Sequence, residues 1–313
     1  MMTSRPLGAT GIEVSAVGLG AWQLGRSAEW PAGPDPEEAV RIARAALDLG
    51  VTFIDTAPVY AGGQSELNVG AALAGVPRDD YVLCTKVGRR PDGSTDWSPE
   101  AIEGSVRGSA ERLGVEHIDV VVLHSPPPEV LTSPEHTEAL RDLKSKGLIR
   151  AYGASVDQGH EIDTALKERP DVLEVRLSAL YQEPLEALGR AAERGVGSII
   201  KVPLESGWLS GAYDADSTFT DVRARWSPAD VALRASLVEE FRALLPEGVG
   251  TLQGALRFLL AYPEISTLIP GTRSLDHLAS SIAAAAEGPL PPDTVDEIES
   301  WYSRRIGEQA LRW

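Results

Sequence analysis

The sequence predicts an α/β fold, a (β/α)8 TIM barrel with an N-terminal hairpin and a long loop after the seventh strand. Three observations carry this prediction. Short apolar runs rich in Val and Ile alternate with stretches of helical period, and eight such runs can be counted, at 16–19, 53–55, 82–86, 118–123, 151–155, 172–177, 198–202 and 267–269. The runs are apolar on both faces, as in Ile118-Asp119-Val120-Val121-Val122-Leu123, which marks strands covered on both sides in a parallel sheet. The chain has 313 residues, enough for one barrel of about 250 residues with long loops, so residues 1–313 read as a single barrel domain. A doubly wound open sheet is the competing architecture. It needs a glycine fingerprint that opens a capped helix, and Gly18-Leu19-Gly20-Ala21-Trp22-Gln23 is not followed by one.

Taken in order, residues 6–15, with Gly8 and Gly11, read as a hairpin plugging the barrel bottom. The first helix has Asp35 to cap it, Pro36 in its first turn, Gly50 to stop it, and Val40, Ala43 and Leu47 on one face. Ser98 and Pro99 start another that ends at Gly114, and Leu140 and Leu143 precede Gly147 in a third. Residues 204–229 are long and irregular and are expected to cover a ligand. The last strand leads through Pro270-Gly271-Thr272-Arg273-Ser274 into a helix containing Leu278 and Ile282. Helix N-terminal amides, backbone access at Gly271 and the Arg273 charge together make an anion site suited to a phosphate.

Composition narrows the function. Lys and Arg number 29 against 46 Asp and Glu, a net charge of −17, which repels nucleic acid and anionic lipid. Cys84 is the only cysteine, so no intrachain disulfide and no thiolate zinc site can form. The five histidines make no H-x-H or H-E-x-x-H pair, and no G-x-S-x-G is present, so no metal site and no serine hydrolase are expected. The N-terminus lacks the apolar core of a signal peptide, and no apolar run spans a bilayer. A cytoplasmic enzyme acting on a small molecule is the expectation.

Barrel enzymes carry reactive groups on the C-terminal ends of their strands. Here the second strand ends in Asp55, the third in Lys86, and His124 follows the fourth; Tyr60 follows Asp55 by five residues, on the loop over the barrel mouth. An Asp and a Lys on neighbouring strand ends will pair. A phenol beside that ammonium should ionise more easily than its ordinary pKa of about 10 allows. A neutral His adds a hydrogen bond to a carbonyl or alkoxide oxygen. The set suits protonation of a carbonyl oxygen as hydride arrives at carbon. Each residue alone has a structural explanation (a cap, a snorkelling stem, packing, a satisfied loop), but four together on three consecutive strand ends point to chemistry. Two other readings stay open on the same barrel: a lyase forming a Schiff base on Lys86 or Lys201, and a cofactor-binding sensor or interaction protein. Trp22, Trp30 and Trp208 are candidates for the substrate walls, while Trp97 can simply pack at a helix start. Arg223 and Arg225 either clamp an acidic group or pair with Asp221.

These segments resemble the aldo-keto reductases over nearly the whole chain. The resemblance rests on Leu7-Gly8-x-Thr10-Gly11, the stretch from Gly50 to Tyr60 followed by Ser65-Glu66, Thr85-Lys86-Val87, Arg112-Leu113-Gly114 leading to Ile118-Asp119 and Leu123-His124, Gly147-x-Ile149-Arg150-x-Tyr152-Gly153-x-Ser155, and Ile269-Pro270-Gly271. It implies a (β/α)8 barrel that binds NADP(H), with NAD(H) possible, without a Rossmann fold, and that interconverts an aldehyde, ketone or sugar carbonyl with an alcohol. It implies a tetrad of Asp55, Tyr60, Lys86 and His124, with Tyr60 as general acid/base. It also implies cofactor contacts at Gly20, Ser155, Glu174 and Lys201, along Pro203, Leu204, Gly207 and Leu209, and at Gly271, Thr272, Arg273, His277 and Ser281. The stretch Val202-Pro203-Leu204-x-Ser206-Gly207-x-Leu209-x-Gly211 is similar to some bacterial members. Several positions depart from the family pattern. Val156 stands where Asn is frequent, Glu174 where a Gln usually holds the nicotinamide amide, and Lys201 where an aromatic residue often stacks; His277 and Ser281 replace Gln or Arg and Asn.

Overall fold

The computed structural model describes residues 3–307 and Leu311. Strands β1 (Ser4–Pro6) and β2 (Glu13–Ser15) form an antiparallel hairpin. Eight parallel strands follow: β3 (Leu19–Gly20), β4 (Phe53–Asp55), β5 (Val82–Val87), β6 (Ile118–His124), β7 (Ile149–Val156), β8 (Val172–Arg176), β9 (Gly197–Lys201) and β10 (Thr267–Ile269). They hydrogen-bond in chain order. The ring closes where Val17 bridges Leu268 and Gly20 bridges Gly271, with Gly18 N–H donating to the Leu268 carbonyl at 2.7 Å. That closure is why the first strand departs from its predicted 16–19: residues 16–18 pair with the last strand, and the ladder to β4 starts at Leu19. A Cβ on Gly20 would stand 2.7 Å from the Ile269 carbonyl oxygen, so the seam admits no side chain there. The other seven strands lie within two residues of their predicted ends.

Period-2 alternation explains the two-sided apolar runs. Phe53, Val82, Cys84, Val120 and Val122 point into the barrel, where Leu7, Ile12 and Val14 of the hairpin segment pack against them. The hairpin is therefore the expected bottom plug. Ile54, Leu83 and Val121 alternate outward into the layer beneath the helices, with Ile42, Ile102 and Leu140. Those helices are α1 (Pro36–Asp48), α2 (Gln64–Leu73), α3 (Pro99–Leu113), α4 (Pro128–Leu131), α5 (Pro134–Ser145), α6 (Gly159–Ala165), α7 (Leu185–Glu193), α8 (Pro228–Leu244), α9 (Thr251–Leu259), α10 (Leu275–Ala286) and α11 (Pro292–Arg305). Asp35 caps α1 by accepting from Glu38 N–H at 2.9 Å, and Gly114 ends α3 in the left-handed region. Among the described residues no helix is long and apolar enough to cross a membrane.

The insert before α8 contains two short 3-10 turns, Glu205–Ser210 and Val222–Arg225. Its start is strained: Val202, Glu205 and Ser206 all have positive φ, at 57°, 46° and 55°. A β-branched residue at positive φ is a true outlier, and such strain gathers at ligand sites.

Candidate active site

The strand ends bring the four predicted residues together. Asp55 closes β4, Lys86 is the penultimate residue of β5, and His124 closes β6. Lys86 is 1% exposed, and its ammonium pairs with Asp55, donates to the Thr56 carbonyl at 3.3 Å, and pairs with Glu174 Oε2 at 2.9 Å. It lies 5.4 Å from the Tyr60 ring centroid. The His124 ring meets Tyr60 edge-on at 5.6 Å.

The motifs around the tetrad prove to be its mounting. Ser65 on α2 hydrogen-bonds the Thr56 hydroxyl at 2.9 Å and donates to the Ala21 carbonyl at 2.8 Å, and Asn68 donates to the Leu24 carbonyl at 2.9 Å. One helix thus fixes both the Tyr60 loop and the turn bearing Trp22. Glu66 accepts from Thr85 at 2.7 Å and from Arg112 at 2.6 Å, tying α2 to β5 and α3. Asp119, fully buried, takes Arg78, Arg150 and the Leu83 N–H at 2.6, 2.7 and 2.8 Å.

Burial and charge set the protonation states. Burial alone would push Lys86 down, but Asp55 and Glu174 hold its pKa well above the ordinary lysine value. Burial and the nearby Glu174 raise Asp55 to about 7 against the pull of Lys86. Lys86 does ease ionisation of Tyr60, as expected, but the net shift runs the other way. Burial raises the phenol's pKa, Asp55 and Glu174 add to the rise, and Lys86 only partly offsets them. Tyr60 is therefore a firmly protonated phenol. His124 is held well below its usual pKa by burial and by the Lys86, Arg89 and Lys201 charges, so the imidazole is neutral. Among the described residues one trio, Asp55, Cys84 and Glu174, has the spacing of metal ligands. The Lys86 ammonium is ion-paired with both its carboxylates, so a resident cation already holds that place.

The family's cofactor positions are linked in an unforeseen way. Ser155 donates to Glu174 Oε1 at 3.1 Å, Lys201 donates to Ser155 at 2.7 Å, and Lys201 pairs with Asp157 at 2.9 Å. Glu174 Oε1 is thus held by Ser155, while Oε2 faces the Lys86 ammonium as an ion pair without a hydrogen bond. Pro203 and Leu209 are buried while Leu204 and Gly207 are half-buried. Their strained loop is anchored by Glu205, which accepts from Arg176 at 3.0 Å and Ser178 at 3.1 Å. The sequence reading missed Glu205 and Asp157. Asp157 had a signal, two positions beyond Ser155 at a strand end. Glu205 had none, lying inside the irregular insert.

At the last βα turn Thr272 and Ser274 exchange hydrogen bonds, Gly271 is exposed and Arg273 half-exposed. His277 is exposed, and the Ser281 hydroxyl donates to the His277 carbonyl of its own helix at 3.0 Å. Gly20 is buried in the barrel seam. Burial pushes Asp221 up, but Arg223 bonds and charge, with Arg273 adding to the pull, bring it below the usual range. Arg223 takes the bland reading, pairing with Asp221.

Trp22 and Trp30 meet edge-on at 5.2 Å, and Trp22 lies 6.2 Å from Tyr60. Trp22 thus stands beside the tetrad, while Trp30 is 2% exposed and packs behind it, with the Arg223 guanidinium 5.4 Å from its ring. Trp208 does not stand beside the tetrad: it is fully buried against Tyr213, Phe219 and Trp226, forming the core of the insert rather than a cleft wall. Trp97 packs directly on Gly88, as a packing residue would.

A parallel barrel with an ion-paired lysine, a neutral imidazole and a phenol on adjoining strand ends defines a class, the barrel oxidoreductases acting on carbonyl and alcohol groups. The chain belongs to the aldo/keto reductase family, whose sequence profile matches residues 16–303. It is 30% identical over 304 residues to the NADH-specific methylglyoxal reductase of Escherichia coli, covering 90% of this chain and 93% of that one. It is 32% identical over 312 residues to L-galactose dehydrogenase of Arabidopsis thaliana, covering 95% and 93%. The solved aldo-keto reductase AKR11C1 of Bacillus halodurans, in its holo form, superposes with a TM-score of 0.81 at 29% identity, covering 96% of each chain. Nicotinamide cofactors and small carbonyl or alcohol substrates belong to the family as a whole.

Proposed function

We infer that this chain, as a single barrel domain, reduces a small aldehyde, ketone or sugar carbonyl with NADPH, or with NADH, and runs the reverse oxidation, using Tyr60 as general acid/base. One observation carries the reading: a protonated phenol, a neutral imidazole and a doubly paired ammonium converge at one mouth of the barrel.

The residues present fit a dinucleotide at the phosphate end. The exposed Gly271, the N-terminus of α10 and Arg273 supply donors and charge, and the strained Val202–Gly207 backbone is the kind of loop a ligand completes. When bound, a reduced nicotinamide supplies hydride to the carbonyl carbon. Tyr60 donates its hydroxyl proton to the carbonyl oxygen. His124, kept neutral, hydrogen-bonds that oxygen and aligns it. Lys86 stabilises the phenolate left behind, and Asp55 holds Lys86. Trp22, 6.2 Å from the Tyr60 ring, excludes water on one side. The reading prefers the reductase to a Schiff-base lyase on Lys86, because an amine clamped as an ammonium by two carboxylates is a poor nucleophile. It leaves NADP(H) and NAD(H) to experiment: the relative at 30% identity is named NADH-specific, while Arg273 suits a 2′-phosphate.

The test is a Tyr60→Phe variant assayed on a panel of aldehydes and sugars, with NADPH and NADH each titrated by quenching of tryptophan fluorescence. Turnover is expected to fall by roughly 10²–10⁴-fold, the usual contribution of a general acid, with dinucleotide binding retained. Full turnover in the variant would remove Tyr60 from the chemistry, and no binding of either dinucleotide would remove the cofactor.

A further inference from the structure

Lys86 on β5 has one carboxylate on the adjacent strand, Asp55, and a second from β8, three strands away. Glu174 is 2% exposed, and a carboxylate buried that deeply is costly unless paired. One oxygen is hydrogen-bonded, and the other meets Lys86 as an ion pair without hydrogen-bond geometry. Oε2 stands 2.9 Å from the Lys86 ammonium, Oε1 accepts from Ser155, and Ser155 accepts from Lys201, itself paired with Asp157. The titratable and charged groups around this chain are Asp55 on β4, Tyr60 on the loop after it, Cys84 and Lys86 on β5, Arg89 beyond it, His124 on β6, Asp157 after β7 and Lys201 on β9. With both carboxylates ionised the inner group of Asp55, Lys86 and Glu174 carries one net negative charge, and Lys201 is the cation that answers it.

We propose that Glu174 is a positioning residue for Lys86, with Lys201 as its counter-ion through Ser155, and that this pair sets how readily Tyr60 parts with its proton. The proposal rests on the reading of Tyr60 as proton donor. It assigns Glu174 and Lys201 to the acid–base machinery instead of to contacts with the nicotinamide amide and ring. The two departures from the family pattern belong together: a charge brought in on β8 is answered by a charge brought in on β9.

The test uses free enzyme, so it does not depend on turnover. Glu174→Gln keeps the shape and an acceptor for Ser155 but removes the charge. Tyr60 ionisation is read as the ultraviolet phenolate signal of each form minus that of the same form carrying Tyr60→Phe. In Glu174→Gln the Tyr60 phenol should ionise about tenfold more readily, about one pH unit lower, with dinucleotide affinity within about twofold of wild type. In protein with ¹³C-labelled Asp carboxyls, the buried Asp55 signal should titrate near pH 7 in the wild type, lower in Glu174→Gln and higher in Lys201→Met. Unmoved titrations in Glu174→Gln overturn the proposal, and so does weakened dinucleotide binding without any titration change, which would make Glu174 a cofactor contact. Should Glu174→Gln fail to fold, Lys201→Met decides: a raised Asp55 titration supports the proposal and an unmoved one overturns it. Expected titration shifts in a protein that turns over no carbonyl would sink the proposed function and leave the charge network standing.

Discussion

Replacing Lys86 by Met removes the cation between two buried carboxylates, and its cost can be worked from the structure. At 2.9 Å a unit-charge pair at an effective dielectric of 20 is worth about 6 kcal/mol, and the Asp55 pair is at least as close. Desolvation of each ion takes back several kcal/mol, and truncating one partner of a buried pair costs about 3–5 kcal/mol net. The loss then depends on pH. In the wild type Asp55 titrates at about 7, above its unfolded value, so it stabilises at low pH and that stability fades as pH rises through 7. Between pH 6 and 8 this removes about 1 kcal/mol. In Lys86→Met the two carboxylates face each other without a cation, and the folded protein holds at least one whole proton across that range. It therefore loses about 3 kcal/mol over the same interval. The gap between variant and wild type should widen as pH rises, to about 4 kcal/mol at pH 8. Urea unfolding followed by tryptophan fluorescence at pH 6, 7 and 8 measures it. A gap that stays constant with pH, or no gap at all, would refute the buried two-carboxylate clamp.

Three further predictions concern the framework and the anion loop. Asp119→Ala leaves two guanidinium groups and the Leu83 N–H without their shared acceptor and should cost about 3 kcal/mol, read as a lowered urea midpoint with an unchanged slope. Gly153→Ala places a Cβ 1.8 Å from the Val172 carbonyl oxygen and should abolish folding, seen as loss of soluble protein, whereas Gly104→Ala on α3 meets nothing within 4 Å and should stabilise by about 0.5–1 kcal/mol. Arg273→Ala should weaken NADPH binding about tenfold, the worth of one charge-assisted hydrogen bond, and leave NADH within about twofold; equal weakening of both would place Arg273 away from the 2′-phosphate.

Barrel and tetrad were legible in the sequence for one reason: both are written locally. A strand buried on two sides must be apolar at every position, so each strand shows in its own few residues, and Asp55, Lys86 and His124 were found because a strand end is a place in the sequence as well as in space. The closing seam was less legible, because it depends on Gly18 and Gly20 meeting Leu268 and Gly271 from the far end of the chain. The motif residues Glu66, Arg112, Asp119 and Arg150 were visible as a family pattern, but what they do is visible only in three dimensions, as buried ion pairs that hold the strand ends.

The Tyr60 reading had the right local effect and lacked the larger one, burial. An ammonium beside a phenol lowers its pKa, and that local rule was correctly applied to Lys86. The direction at Tyr60 is settled instead by burial, which outweighs Lys86, with Asp55 and then Glu174, 114 residues away in sequence, adding to the rise. Position by position, Glu174 and Lys201 look like lost contacts, a carboxylate for an amide and a cation for an aromatic ring. Placed on the barrel they are one ion chain ending on Lys86. Trp208 follows the same logic: an aromatic residue in a loop looks like a pocket wall until the loop is found to have a core of its own. Sequence locates the groups that chemistry needs, but their protonation is a property of every charge the fold brings near them.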